Sequence, residues 1–217
     1  MKYVLVLLLM CLAGGCSSLV EEASLNVVSP SPTPQRPDEV VIPDMPKTTW
    51  EPIFFEAIDQ ATGFAGYKKL RKTQLGDGDI QVRVWAGFGL TPLKGFVLSR
   101  VNSKWSANRI GSKDSEFSFK ASSFALTEPE IGWEAAWASL LNHKILTLPD
   151  ARAIKCEAMY EDGYSYVVEV KKGPNYRTYM YDNPDAKFDN RCGEADEILS
   201  IAKIITDDFR VKGFRAH

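Results

Sequence analysis

Histidine is nearly missing from this 217-residue chain, which has two, His143 and the terminal His217. A histidine base beside a serine or cysteine nucleophile therefore has little to draw on, and neither a G-x-S-x-G elbow nor an H-E-x-x-H helix occurs. A Walker loop is missing as well. The segment GFGLTP, from Gly87 to Pro92, begins like a dinucleotide fingerprint but ends in proline and lies between two strand patterns. GDGD, from Gly76 to Asp79, offers two carboxylates without the later acidic ligands of a calcium loop. An excess of one charge is also lacking: 26 basic against 28 acidic residues leave a net charge of −2, so no basic field argues for nucleic acid. With four cysteines and no third cysteine or histidine at ligand spacing, no metal or cofactor is expected. Long apolar runs are missing too. Val4 to Leu12 covers about half of the roughly 20 residues a membrane-spanning helix needs.

That short run is nevertheless the most informative part of the N-terminus. Lys2, the apolar stretch and then Ala13, Gly14 and Gly15 have the layout of a secretory signal peptide. Leu12-Ala13-Gly14-Gly15-Cys16 resembles the lipobox of bacterial lipoproteins, with Ala13 where the usual box has a larger aliphatic residue. The resemblance covers the first 16 residues alone. It implies cleavage before Cys16, which then carries diacylglycerol through a thioether and, in many bacteria, an N-acyl chain. Two or three buried acyl chains, at about 0.8 kcal/mol per CH₂, hold a protein firmly on a membrane. The alternative is an ordinary secreted protein in which Cys16 is incidental. Ser17 stands where inner-membrane retention prefers aspartate, so resemblance to enterobacterial lipoproteins implies the outer membrane if the source has one. Cys11 falls in the discarded segment. Cys156 and Cys192 remain, and in an oxidising compartment they are expected to form a disulfide rather than two buried thiols. Closing that loop stabilises the fold by about 4 kcal/mol in the chain-entropy model.

Residues 16–47 read as a lipidated cysteine followed by a tether. Pro30, Pro32, Pro34, Pro37, Pro43 and Pro46 are six of the chain's twelve prolines, and the stretch has no aromatic residue to bury. Residues 48–217 read as one domain. Its first helix is expected near TTWEPIFFEAIDQATG, with Thr49 as cap. DIQVRVWAGFG alternates as a strand, with Ile80, Val82 and Val84 on one face and Gln81, Arg83 and Trp85 on the other. A hairpin turns at Asn102-Ser103, and a further strand carries Phe117 and Phe119. Thr127 and Glu130 have capping-box spacing ahead of a helical stripe of Trp133, Trp137, Leu140 and Leu141. The strongest strand signal, YSYVVEVKKGPNYRTYMYD, is expected to turn over Lys172-Gly173-Pro174, pairing Val170 with Tyr176, Val168 with Thr178, Tyr166 with Met180 and Glu169 with Arg177. A last helix carries Ile198, Ala202, Ile205 and Phe209 on one face. Strands and helices in blocks predict an α+β fold, a mainly antiparallel sheet of about five to six strands with two to three helices.

For chemistry, the chain offers three carboxylate pairs: Glu128 with Glu130, Asp182 with Asp185, and Asp207 with Asp208. Each has an ordinary role as cap, turn or helix end, as does His143 behind its helix. Six of the eight tyrosines fall between Tyr160 and Tyr181. In the expected register Tyr179, Tyr181 and Arg177 share a face away from the core, and with Trp85 and Trp105 they form a candidate binding patch, packing under the last helix being the alternative. The reading is therefore a membrane-anchored, non-catalytic interaction module whose partner is a protein or glycan of the envelope. The alternative is an envelope hydrolase working through paired carboxylates.

Overall fold

Period-two alternation after Asp79 dictates an extended chain, and in the computed structural model β1 runs from Ile80 to Gly87. The structure describes residues 52–88, 93–111, 121–156, 163–186 and 192–214. β2 (Lys94–Val101) and β3 (Lys104–Gly111) are joined by Asn102 and Ser103, whose φ values of 51° and 60° are those of a type I′ turn. That turn matches the right-handed twist of the strands it connects. β4 (Ser122–Leu126) completes a meander, while β5 (Ser165–Lys172) pairs with the free side of β1 and β6 (Asn175–Asp182) lies beyond it. The order is β4-β3-β2-β1-β5-β6, and every neighbouring pair is antiparallel. With α1 (Pro52–Phe64), α2 (Trp133–Asn142), α3 (Gly193–Asp207) and a 3-10 turn at Leu70–Lys72, the described residues form the expected α+β fold of six strands and three helices.

Both faces of the sheet are buried. On the first, Val82, Val84, Phe96, Tyr166, Val168 and Val170 pack under α2, α3 and the C-terminal Phe209, Val211 and Phe214. On the second, Trp85, Val97, Ile110, Val167 and Met180 pack under Ile58 and Ala61 of α1. Trp85 lies against Gly95 on the neighbouring strand, where an added Cβ would sit 2.6 Å from the indole. The missing side chain is what lets the ring lie flat there.

Two local expectations are corrected. Gly173 and Pro174 form a two-residue turn with φ of 51° at Gly173, so Lys172 pairs with Asn175. The register is therefore one residue off the expected one: Val170 faces Arg177, Val168 faces Tyr179, Tyr166 faces Tyr181 and Glu169 faces Thr178. Apolar patterning could not choose between the two registers, because a strand buried on both faces carries no polar side to exclude either. The glycine-first turn chooses instead. Likewise α2 begins at Trp133 with Gly132, at φ 82°, as its N-cap, not with the Thr127–Glu130 box. Glu128 Oε1 accepts the Trp133 N–H at 3.3 Å, so an acidic side chain still serves the helix start. Thr49, Phe117, Phe119, Tyr160 and His217 lie outside the described residues, as do Cys16 and the tether.

Cys156 and Cys192 form the expected disulfide, with Cα atoms 5.7 Å apart across a sequence separation of 36. It joins the N-cap of α3 to the end of the segment that follows α2. Replacing both cysteines by alanine is expected to lower the unfolding free energy by about 4 kcal/mol under oxidising conditions, and to leave the variant insensitive to dithiothreitol. Urea unfolding of variant and parent, with and without reductant, measures both.

Candidate functional site

The five side chains of the expected binding patch are not brought together on a surface. Tyr179 is 0% exposed, Tyr181 1%, Arg177 3% and Trp85 0%. The exposed tyrosine face is thus overturned: the register shift turns Tyr179, Tyr181 and Arg177 onto the face under α2 and α3, and the opposite face is covered too, so neither register would expose them. Trp105 alone of the five is half-buried.

The buried tyrosines have a different task. From α2 the chain crosses the first face as a strap through residues 144–151, whose carbonyls belong to no helix or strand. Tyr179 donates its hydroxyl to the Ile145 carbonyl and Tyr181 to the Pro149 carbonyl, each at 2.8 Å. Arg177 donates Nη1 to the Leu146 carbonyl and Nη2 to that of Leu148. In return, Asp150 Oδ2 accepts the Met180 N–H at 3.1 Å, and the Ala151 N–H donates to the Met180 carbonyl. The strap thereby covers part of the β6 edge, the usual remedy for unpaired strand groups. Burial raises the Asp150 carboxyl, against the lowering effect of the two backbone N–H groups it accepts. Its ends are fastened to α3, by the disulfide and by His143 Nδ1, 2.8 Å from Glu197. That hydrogen bond, above all, holds the Glu197 carboxyl below its ordinary range.

A second cluster, which sequence reasoning missed, lies on the other face. Glu169 is 1% exposed at the middle of β5 and accepts from Trp85 Nε1 at 2.8 Å and from the Tyr176 hydroxyl at 2.9 Å. Arg83 stands directly opposite on β1. Its Nε and Nη2 donate to Gln81 Oε1, Nη2 also donates to the Lys68 carbonyl, and Gln81 Nε2 donates to Ser99 Oγ at 2.6 Å. The network anchors the segment carrying the 3-10 turn to the sheet. Arg71 of that turn, ion-paired with Asp59 of α1 at 2.6 Å, adds positive potential near Glu169. Burial pushes the Glu169 carboxyl above the ordinary range, while Arg83, Trp85 and Tyr176 pull the other way. The one sequence signal was a glutamate inside the apolar run of β5. Its partner Trp85 is 84 residues away, and only the β1–β5 pairing joins them.

Four of the six paired carboxylates have partners of their own outside the pair. Glu128 caps α2, Glu130 pairs with Arg210, Asp182 accepts from Ser165, and Asp207 pairs with Lys203. Asp79 of the GDGD turn accepts the Asn102 N–H at 2.8 Å and the Gly76 N–H at 3.3 Å, so it braces two turns. Among the described residues no group of three metal-ligating side chains occurs, and no helix is long and apolar enough to cross a membrane.

A half-buried aromatic strip lies at the β3–β4 side of the first face. Arg100 lies over the Trp105 ring, with its guanidinium carbon 5.4 Å from the centroid, and Arg109 lies 3.9 Å over the Phe124 ring. Trp105 Nε1 donates to Glu134 at 2.6 Å, and its ring packs 5.5 Å from Trp137. Planar arginines over half-buried aromatic rings are the chemistry of recognition surfaces. Comparison with protein-family models, curated proteins and solved structures finds no match to this chain.

Three outcomes follow from the buried clusters. Tyr179→Phe and Tyr181→Phe keep the rings but leave a strap carbonyl without its donor, so each is expected to cost about 1–2 kcal/mol in urea unfolding. Glu169→Leu strands Arg83, Trp85 and Tyr176 and is expected to cost about 3–5 kcal/mol. Glu169→Gln tests the sign of the titration. Because the folded carboxyl titrates above its unfolded value of 4.5, its contribution is fullest below that pH and is lost as pH rises through the folded pKa. The stability of Glu169→Gln relative to the parent should therefore improve with rising pH. A difference flat from pH 4 to 8 would contradict that assignment.

Proposed function

We propose that this chain is an exported lipoprotein held on a bacterial membrane through Cys16, and that its domain is a non-catalytic binding module of the cell envelope. The lipid anchor rests on the lipobox resemblance, with the outer membrane as destination in a diderm source. The binding reading is carried by one observation: the domain's surface strip of Trp105 and Phe124 carries two arginines stacked on the rings, without an ion pair among the described residues. Of the paired carboxylates, Glu128, Glu130, Asp182 and Asp207 each support a cap, a hydrogen bond or an ion pair of the fold, which weakens the specific argument for a hydrolase. The disulfide agrees with an oxidising compartment.

Cys16→Ser is expected to abolish incorporation of a palmitate analogue and to move the protein out of the sedimented membrane fraction; persistence of either would overturn the anchor. For the binding reading, a photo-cross-linker introduced at Ser122, beside the strip, should capture one envelope component in the intact cell. Capture should be lost in Trp105→Ala. A cross-linker that captures no component at any site along β3 and β4 would overturn the module.

A further inference from the structure

We infer that the strip of Trp105, Leu126 and Phe124, with Arg100 and Arg109 over its rings, is a docking surface for an extended acidic polypeptide segment. The inference rests on the binding-module reading and specifies the partner's chemistry. Arg100 pairs with Trp105, Ala107 with Leu126 and Arg109 with Phe124, so these residues occupy three successive same-face rows of the sheet. Arg100, Trp105, Arg109, Phe124 and Leu126 are all half-buried. Trp105 and Arg109 are four residues apart on β3, which separates the outer rows by about 14 Å, with Leu126 in the row between.

Each ring has one face taken by an arginine. One carries the Arg100 guanidinium and the other the Arg109 guanidinium, which disfavours a sugar ring stacking there. Each pair supplies a guanidinium at a half-buried position, a planar fork suited to a carboxylate. Neither arginine has an ion pair among the described residues, and Glu134, the acid beside Trp105, takes the indole N–H. Two carboxylate sites about 14 Å apart with an apolar site midway match an extended chain reading acid-x-apolar-x-acid. Its period of two places all three side chains on one side over the same length. Phe124 and Leu126 belong to β4, at one end of the sheet, so the strip borders a sheet edge.

The test titrates the full-length protein with two synthetic peptides, followed by tryptophan fluorescence. One carries two glutamates four residues apart around a central valine, and the other has both glutamates replaced by glutamine. The glutamate peptide is expected to bind about tenfold more tightly at low salt, and the advantage should shrink as salt is raised. Arg100→Gln and Arg109→Gln should each remove about fivefold, and Arg109→Lys should not restore it, because an ammonium cannot both stack and fork. Thermal unfolding of the three variants checks that they remain folded. Equal binding of the two peptides overturns the inference, as does glutamate-peptide binding that both arginine variants retain, or competition by inorganic phosphate at the same charge concentration. The cross-linking experiment separates the two levels: a captured component that survives both arginine substitutions leaves the binding module standing and removes this surface, whereas no capture by the parent removes both.

Discussion

The turn at Gly173-Pro174 governs more of this molecule than its two residues suggest. A glycine with positive φ followed by proline closes the β5–β6 hairpin without a third loop residue, and so sets every pairing between the two strands. With that register, Arg177, Tyr179 and Tyr181 face the helices and reach the carbonyls of the strap. Tyr176 and Thr178 face the opposite way, and Tyr176 meets Glu169. A one-residue slip would exchange the two sets and leave both the strap carbonyls and the Glu169 carboxylate short of donors. Two unrelated hydrogen-bond networks thus depend on one backbone conformation.

The Glu169 network shows how a sheet buried on both faces tolerates charge. A carboxylate in a low-dielectric layer is costly unless donors and a counter-charge are already in place. Here the indole of Trp85 and the phenol of Tyr176 supply the donors, and Arg83 on the adjacent strand supplies the charge. Trp85 can present its N–H there because Gly95 clears the space beside its ring. The arginine in turn holds the Lys68 carbonyl, which ties the segment between α1 and β1 onto the sheet. Such a network specifies position more than it adds stability, since an apolar layer of the same shape could be as stable.

The strap solves a related problem on the other face. A connection crossing a sheet brings buried carbonyls that no helix or strand satisfies. Tyrosine and arginine are suited to the task, being long enough to fill space and ending in donors. Tyrosines close together in sequence, as Tyr176, Tyr179 and Tyr181 are, therefore signal a donor-rich interior at least as readily as a contact surface. The arginines over Trp105 and Phe124 are different: among the described residues neither has an ion pair.

Much of the architecture was legible in the residues alone. The α+β class, β1, the Asn102-Ser103 hairpin, the apolar faces of α2 and α3 and the Cys156–Cys192 pair were all expected from the residues: from alternation, helical spacing, turn chemistry and cysteine count. The helix start at Gly132 was missed because the strand-to-helix connection, rather than the nearest capping box, sets where the helix begins. The candidate patch was legible only at Trp105. Its other members were misplaced because period-two patterning names a strand's two faces without saying what covers each, and here both were covered. Glu169 with Trp85, and the strap carbonyls with Tyr179 and Tyr181, are contacts between segments distant in the chain. The sequence by itself determined which elements form. Tertiary structure decided which polar groups meet, because that depends on strand order and on which layer lies above each face.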